Sequence, residues 1–301
     1  MGEIIARCRI LVAALFFLIP AVTSSAQGAE DSLAVAGAPW QWTALGRGAS
    51  LGVVQVEVFG GPQYITVLKY PARRYSTGIF DSRSREAGPT DALALKAGAC
   101  FAANGSYFSG VHTPTTFFCA DGEQTGSTLA RELFRIDGIL AIKGRGCHKV
   151  EIFPVDTNRY DEIRTGSRMA IGAGPLLLQD GAECVLKDRT RFATARNPRT
   201  VIGVGKAGKA GCIAAPGDRP GREYVFYVVA DGRSAGNAIG ITLAQAAALC
   251  RWLGCRDAVN FDGGGSSALW TSQTGIVNHP CDNRKWDHDG ARRVPNIIFA
   301  R

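Results

Sequence analysis

The sequence predicts an α+β fold, with mixed or antiparallel β-sheets and a few packed helices in a single large domain. Three observations carry this. Short β-like runs outnumber helical patterns, eight against two. The two kinds of segment mostly do not alternate, which argues against a parallel doubly wound sheet. Asp-Gly, a strong hairpin signal after an apolar run, occurs at 121–122, 137–138, 180–181, 231–232, 262–263 and 289–290.

The β-like runs are VVQVEVF (53–59), YITVLKY (64–70), FRIDGILAI (134–142), KVEIF (149–153), PLLLQ (175–179), YVFYVVA (224–230), AVNF (258–261) and VPNIIFA (294–300). The clearest helix is ITLAQAAALCRWLG, Ile241 to Gly254, with apolar residues at helical spacing. Thr242 suits its N-cap with Gln245 three residues on, a capping box, and Gly254 suits the C′ position. A shorter helix is expected over Asp91 to Ala99, capped by Thr90 or Asp91.

Ahead of these elements, Arg7 and Arg9 precede an apolar run, Ile10 to Val22, and then the small residues TSSAQGA. That order predicts a secretory signal peptide over 1–26, cut after Ala26. The run is short for a membrane span, so no stable anchor is expected. The chain is therefore read as exported, periplasmic or extracellular. Residues 27–100 read as a β-rich lead-in and 101–301 as the main body, together one compact unit. Eight of the nine cysteines lie beyond the cut, and an even count in an exported chain predicts disulfides. Cys100 with Cys119, or Cys250 with Cys255, are the simplest pairings by proximity in the chain.

The formal net charge of +8 is modest and spread out. It fits an acidic glycan or anionic lipid head groups without selecting either. The export signal and the lack of a basic cluster with interleaved aromatics disfavour nucleic acid. No CxxC occurs and the four histidines are scattered, so no zinc site is expected. No cofactor is expected, although a divalent cation stays open. Asp282, Asp287 and Asp289 have the residue type for calcium, but a solvated acidic loop explains them as well.

Five stretches carry candidate chemistry. The strongest is AVNFDGGGSSALW, Ala258 to Trp270. Three consecutive glycines are costly in conformational entropy, so some contact must need that backbone bare. Gly263, Gly264 and Gly265 would expose amides as an anion nest, with hydroxyls from Ser266 and Ser267 and helical amides if SSALW begins a helix. Asp262 would stand at its mouth as a carboxylate. The alternative is a tight strand-to-helix crossing. In FAANGSYFSGVH, Asn104 and Gly105 end a strand. Asn104 suits a sugar hydroxyl and Tyr107 and Phe108 suit a sugar ring, unless Asn-Gly is a hairpin turn. In ARNPRTVIGVG, Arg199 suits phosphate, or is a solvated arginine on a turn. In YVFYVVADGRS, a strand delivers Asp231 and Arg233 to its end, as site residues or as a surface pair. In GAGPLLLQDG, Gly174 lets a ligand or another backbone approach.

In this order, NGSYF, GAGPLLLQDG, RNPRTVIGV, VVADGRS, GITLAQAAALCRWLGCRDAVNFDGGGSSALW and the closing RRVPN resemble the phosphodiester glycosidase family, which includes exported bacterial proteins linked to exopolysaccharide. The resemblance runs from about Phe101 to the C-terminus. It implies a hydrolase that cuts the sugar C1–O bond of a sugar-1-phosphodiester in a phosphate-linked glycan or glycolipid. The residues are compatible with this: the glycine run, Ser266, Ser267, Arg199 and Arg233 would bind the departing phosphate, Asp262 and Asp231 would supply the catalytic carboxylates, and Asn104 would hold the sugar. Gln245 stands where the family often has glutamate. If that glutamate were catalytic, this chain would instead be a glycan-binding envelope protein without turnover.

Overall fold

A computed structural model describes residues 19–82, 86–208 and 211–301. The first part of the expected export signal, residues 1–18, lies outside them. Helix α1 (Ile19–Gly37) crosses the cut expected after Ala26, so 27–37 are helical rather than the start of a β-rich lead-in. No described helix is long and apolar enough to cross a membrane.

Strands β1 (Gln41–Gly46), β2 (Ala49–Val58) and β3 (Gly61–Pro71) form a meander. Then come β4 (Thr77–Asp81), α2 (Thr90–Lys96), β5 (Phe101–Asn104), β6 (Phe118–Ala120) and β7 (Glu123–Gly126). The middle of the chain gives β8 (Gly138–Lys143), β9 (Lys149–Pro154), α3 (Tyr160–Gly166), β10 (Met169–Ala173), β11 (Leu176–Gln179) and β12 (Ala182–Glu183). A single turn, α4 (Arg191–Thr194), precedes β13 (Arg199–Lys206), β14 (Glu223–Ala230), α5 (Leu243–Trp252) and β15 (Cys255–Asn260). The chain closes with β16 (Leu269–Thr271), β17 (Gly275–Ile276) and β18 (Asn296–Ala300).

The described strands make three antiparallel sheets, in the orders β1-β2-β3-β14-β13-β15-β11-β12, β7-β6-β10-β8-β9 and β17-β16-β5-β18-β4. The fold is α+β, as expected. One face of the long sheet buries Leu68, Ile202, Tyr227 and Val259 against Leu140 and Ile171 of the second sheet and Ala103 and Ile298 of the third. Its other face buries Ile65, Val201, Phe226 and Ala258 against Leu243, Ala246 and Leu249 of α5 and Val35 of α1. Both faces of β14 are covered, so its sequence reads as an unbroken apolar run. Full burial of one such large side chain is worth about 1.5–3 kcal/mol. Helix α5 carries both bonds of its capping box, and Gly254 past its end has φ +94°. In α2 the cap is Pro89, with no side-chain bond from Thr90 or Asp91.

Two of the six Asp-Gly pairs turn hairpins. Asp121-Gly122 joins β6 to β7 and Asp180-Gly181 joins β11 to β12, with positive φ at all four residues. Asp231-Gly232 and Asp262-Gly263 do not close hairpins; they leave the ends of β14 and β15.

The expected disulfides are absent from this structure: all eight cysteines beyond position 26 are unpaired. Cys100 directly precedes β5 of the third sheet and Cys119 lies in β6 of the second, whereas the Cys250 and Cys255 thiols face each other without a bond between them. Cys119 and Cys250 are completely buried and pack as small apolar side chains.

Candidate active site

Antiparallel register decides which loops meet. Arg199 pairs with Ala230, Ala230 with Ile65, and Val201 with Asn260. The start of β13, the end of β14, the start of β3 and the end of β15 therefore share one end of the long sheet. Asp231 and Arg233, Asp262 to Ser267, and Tyr64 all emerge there. Segment 278–292 lies against them.

Asp262 is half-buried, and its Oδ1 accepts a hydrogen bond from the Gly263 N–H at 3.0 Å. Burial pushes its carboxyl pKa up; the nearby Ser266 hydroxyl, Arg292 and Arg135 pull it back. The Ser266 hydroxyl is buried facing the Asp262 carboxyl, while the Ser267 hydroxyl is buried without a partner among the described residues. A buried unsatisfied polar group costs about 1–3 kcal/mol, which makes the Ser267 hydroxyl a donor open to a ligand.

The glycines have a different reason from the one expected. Segment SSALW is not a helix: residues 264–266 make one 3₁₀ turn and β16 follows. The amides of Gly263, Gly264, Ser266 and Ser267 are donated to Asp262, Pro198, Gly263 and Gly264, so they do not form an open anion nest. Gly264 has φ +61°, and a Cβ there would lie 2.8 Å from Arg233 Nη2. A Cβ on Gly265 would meet Asp282 Oδ1 first and lie 2.5 Å from Arg292 Nη2, and one on Gly263 would lie 2.6 Å from the Pro198 carbonyl. The bare backbone admits two guanidiniums and a crossing chain. Arg233 is exposed and held by Asn197 Oδ1, which accepts from its Nη2 at 3.1 Å. Arg292 is held by Asp282, whose Oδ1 accepts from Nε at 3.0 Å.

Asp231 is 1% exposed. Its Oδ1 accepts from Asn278 Nδ2 at 2.7 Å, and its Oδ2 accepts from the His279 backbone N–H at 2.7 Å. His279 Nδ1 lies 3.2 Å from the same Oδ2. Burial raises the Asp231 pKa, while His279 and Asn278 lower it. The carboxylate is enclosed and faces its histidine. A proton on Nδ1 is the arrangement that completes this bond, which leaves Nε2 without a hydrogen-bond partner among the described residues. The imidazole stacks on Trp286 at 3.9 Å and on His288 at 4.5 Å, and meets the edge of Tyr64 at 4.5 Å. Asn278 Nδ2 also donates to the Ser267 carbonyl, which ties this pair to the glycine run.

Other expected site residues are spent inside the protein. Asn104 is fully buried: its Nδ2 donates to the carbonyls of Asp262 and Gly105, and its Oδ1 accepts from Thr200 Oγ1 and the Ala268 N–H. No donor is left for a sugar. Gly105 packs directly on Asn296, and Gly174 on the Arg135 carbonyl, so the close approach is by protein. Arg199 is 3% exposed and donates to the carbonyls of Ile241, Phe192 and Ala195. Burial lowers its pKa to about 10. Tyr107 is buried and donates to the Gly174 carbonyl, with Arg135 over its ring at 4.1 Å, so it is not a stacking platform for sugar. Gln245 Oε1 accepts from the Thr242 N–H at 2.9 Å, a capping role that an amide fills as well as an acid.

His279, Tyr64, Trp286, His288 and Arg292 were not singled out individually by sequence. Arg292 lay inside RRVPN; the others carried no local signal. Asp282 pairs with Arg292, while Asp287 accepts from Asn283 and the Asp289 N–H. Among the described residues no group of three His, Cys, Asp or Glu comes together as a metal site.

A family model described as phosphodiester glycosidase matches residues 97–301. Among solved structures, the auto-inhibited catalytic domain of zebrafish N-acetylglucosamine-1-phosphodiester alpha-N-acetylglucosaminidase aligns with TM-score 0.60 and 15% identity, over 83% of this chain and 82% of that one. A hypothetical protein from Synechocystis aligns at 0.59 and 14% identity, over 87% of this chain and 63% of that one. A Burkholderia pseudomallei K96243 protein, described provisionally as exported, aligns at 0.54 and 15%, over 81% and 74%. At such identities the likeness concerns the fold. No curated protein matches the chain significantly.

Proposed function

Because the chain belongs to the phosphodiester glycosidase family, we propose that it hydrolyses the sugar C1–O bond of a phosphate-linked glycan. The observation that carries this reading is the half-buried Asp262 carboxyl with the Ser266 hydroxyl against it, and Arg233 and Arg292 against the same glycine run.

Phosphate is a good leaving group, so the reaction needs charge stabilisation more than strong acid help. Arg233 and Arg292 would hold the departing phosphate, Arg233 as the more exposed of the two. Ser266 and Ser267 would donate to its oxygens or to a sugar hydroxyl. Asp262 would face the electron-poor anomeric carbon or the attacking water. His279 Nε2 would move the proton, with Asp231 fixing the ring rather than touching substrate. Free sugar leaves, and the phosphomonoester stays on the other group.

The test is turnover of a GlcNAc-1-phosphodiester and of UDP-GlcNAc, followed by phosphorus NMR and a reducing-sugar assay, with Asp262→Asn as control. Sugar release that the control abolishes supports the reading. Release of sugar-1-phosphate would mean that the P–O bond is cut and would overturn it. The apolar run before Ala26 supports export, which fractionation of cells expressing the full chain would check.

A further inference from the structure

The end of the long sheet opposite the candidate active site carries a second feature. Lys206 pairs with Glu223, and Tyr224 with Pro71, so the end of β13, the start of β14 and the end of β3 meet there. A cavity of about 560 Å3 opens across these ends, bounded by Arg73, Arg74, Lys206 and Arg222. None of these four has an ion-pair partner among the described residues. The one carboxylate lining the cavity, Glu223, is drawn to Arg256 at 3.2 Å. Beyond Lys206 a neighbouring cavity of about 330 Å3 holds Arg251 and Arg256, and both of these are paired with acids. Lys206 lines both cavities, whereas Arg73, Arg74 and Arg222 line only the first.

We propose that this groove is a second binding site, for a polyanionic chain of repeating phosphodiesters, and that it holds a glycan polymer away from the reacting bond. The choice of polymer rests on the proposed function; the anion site does not. Four uncompensated cations around one concavity favour a ligand that carries several negative charges. The eight residues of β13 separate the groove from Arg199 by about 24 Å at some 3.4 Å per residue, so one short substrate cannot fill both sites.

A membrane surface fits less well. The site is concave, and none of the large exposed apolar side chains, Leu33, Leu95, Val111, Leu129, Leu133, Phe134 and Val185, belongs to its lining. A lipid-binding face needs apolar groups to insert. Single-stranded nucleic acid fits less well too, because no aromatic side chain lines the cavity for bases to stack on.

The experiment measures binding of a synthetic phosphodiester-linked glycan octamer to the wild-type chain and to the triple variant Arg73→Glu, Arg74→Glu, Lys206→Glu, across a salt series. Neutral dextran and vesicles containing an anionic phospholipid are separate arms. The triple variant is expected to bind the octamer at least tenfold more weakly, with a salt slope shallower by about two units. Arg73→Lys with Arg74→Lys is expected to retain binding, which separates loss of charge from loss of fold. Unchanged affinity and slope in the triple variant would overturn the proposal, as would equal binding of dextran or tighter binding to the vesicles than to the octamer. A wild type that binds the octamer through these residues but releases no sugar from it would support the groove and count against the glycosidase reading.

Discussion

His279 Nδ1 lies 3.2 Å from Asp231 Oδ2, while the backbone N–H of the same histidine donates to that oxygen at 2.7 Å. Two bonds from one residue to one carboxylate oxygen fix where the imidazole sits. Stacking on Trp286 fixes the plane of the ring.

This pair predicts that His279→Ala lowers kcat by about 10²–10⁴-fold, the range for loss of a general acid–base group. Asp231→Asn should lower kcat with little change in KM, because Asp231 is enclosed and acts through the ring. Steady-state kinetics on both variants, with circular dichroism as a fold control, would check this. Full activity in His279→Ala would remove the histidine from the mechanism.

Asp262 should cost the fold stability when it ionises. Its folded pKa is raised above the ordinary aspartate value of 3.8. The folded state therefore holds its proton to higher pH than the unfolded state does. The stabilising contribution is complete below the unfolded value and is lost as pH rises through the folded value. Asp262→Asn should melt above wild type at pH 7, and this advantage should shrink on acidification toward pH 3.8. An advantage independent of pH would mean that ionisation is not the cause.

Ser267→Ala removes a buried hydroxyl that has no partner among the described residues, and Ser266→Ala one that faces the Asp262 carboxyl. Ser267→Ala should stabilise the free protein, by up to about 1–3 kcal/mol, while Ser266→Ala should not. Each should also weaken substrate binding or slow turnover. Denaturant melts and kinetics on the same samples would test the trade. Lower stability in Ser267→Ala would show that its hydroxyl is satisfied in solution.

Asn104→Ala deletes four hydrogen bonds to buried groups. The expected loss is about 2–4 kcal/mol of stability, from bonds of roughly 1 kcal/mol each. A variant that stays folded with normal stability but has a raised KM would restore a direct role in holding sugar.

Local pattern carried much of the fold. The run YVFYVVA, two Asp-Gly hairpins and the capping box of α5 all depend on residues close in the chain. The candidate site was only partly legible. The segment DGGGSS marked its place, because so many glycines need a spatial reason. That reason, the guanidiniums of Arg233 and Arg292, comes from 31 residues before Gly264 and 27 after Gly265. Asn104 and Arg199 looked like ligand groups because polar side chains at strand ends often are. Their burial among backbone carbonyls could not be read from composition.

By itself, the sequence determined the α+β class, the boundaries of α5 and the family block from NGSYF to RRVPN. These follow from periodicity, capping and motif order, which are properties of neighbouring residues. Only the tertiary structure decided that Asp231 is enclosed with a histidine 48 residues away and that the glycines face arginines. Antiparallel register brings loops that are distant in the chain to one end of a sheet. Burial then selects which of their polar groups remain free to meet a ligand.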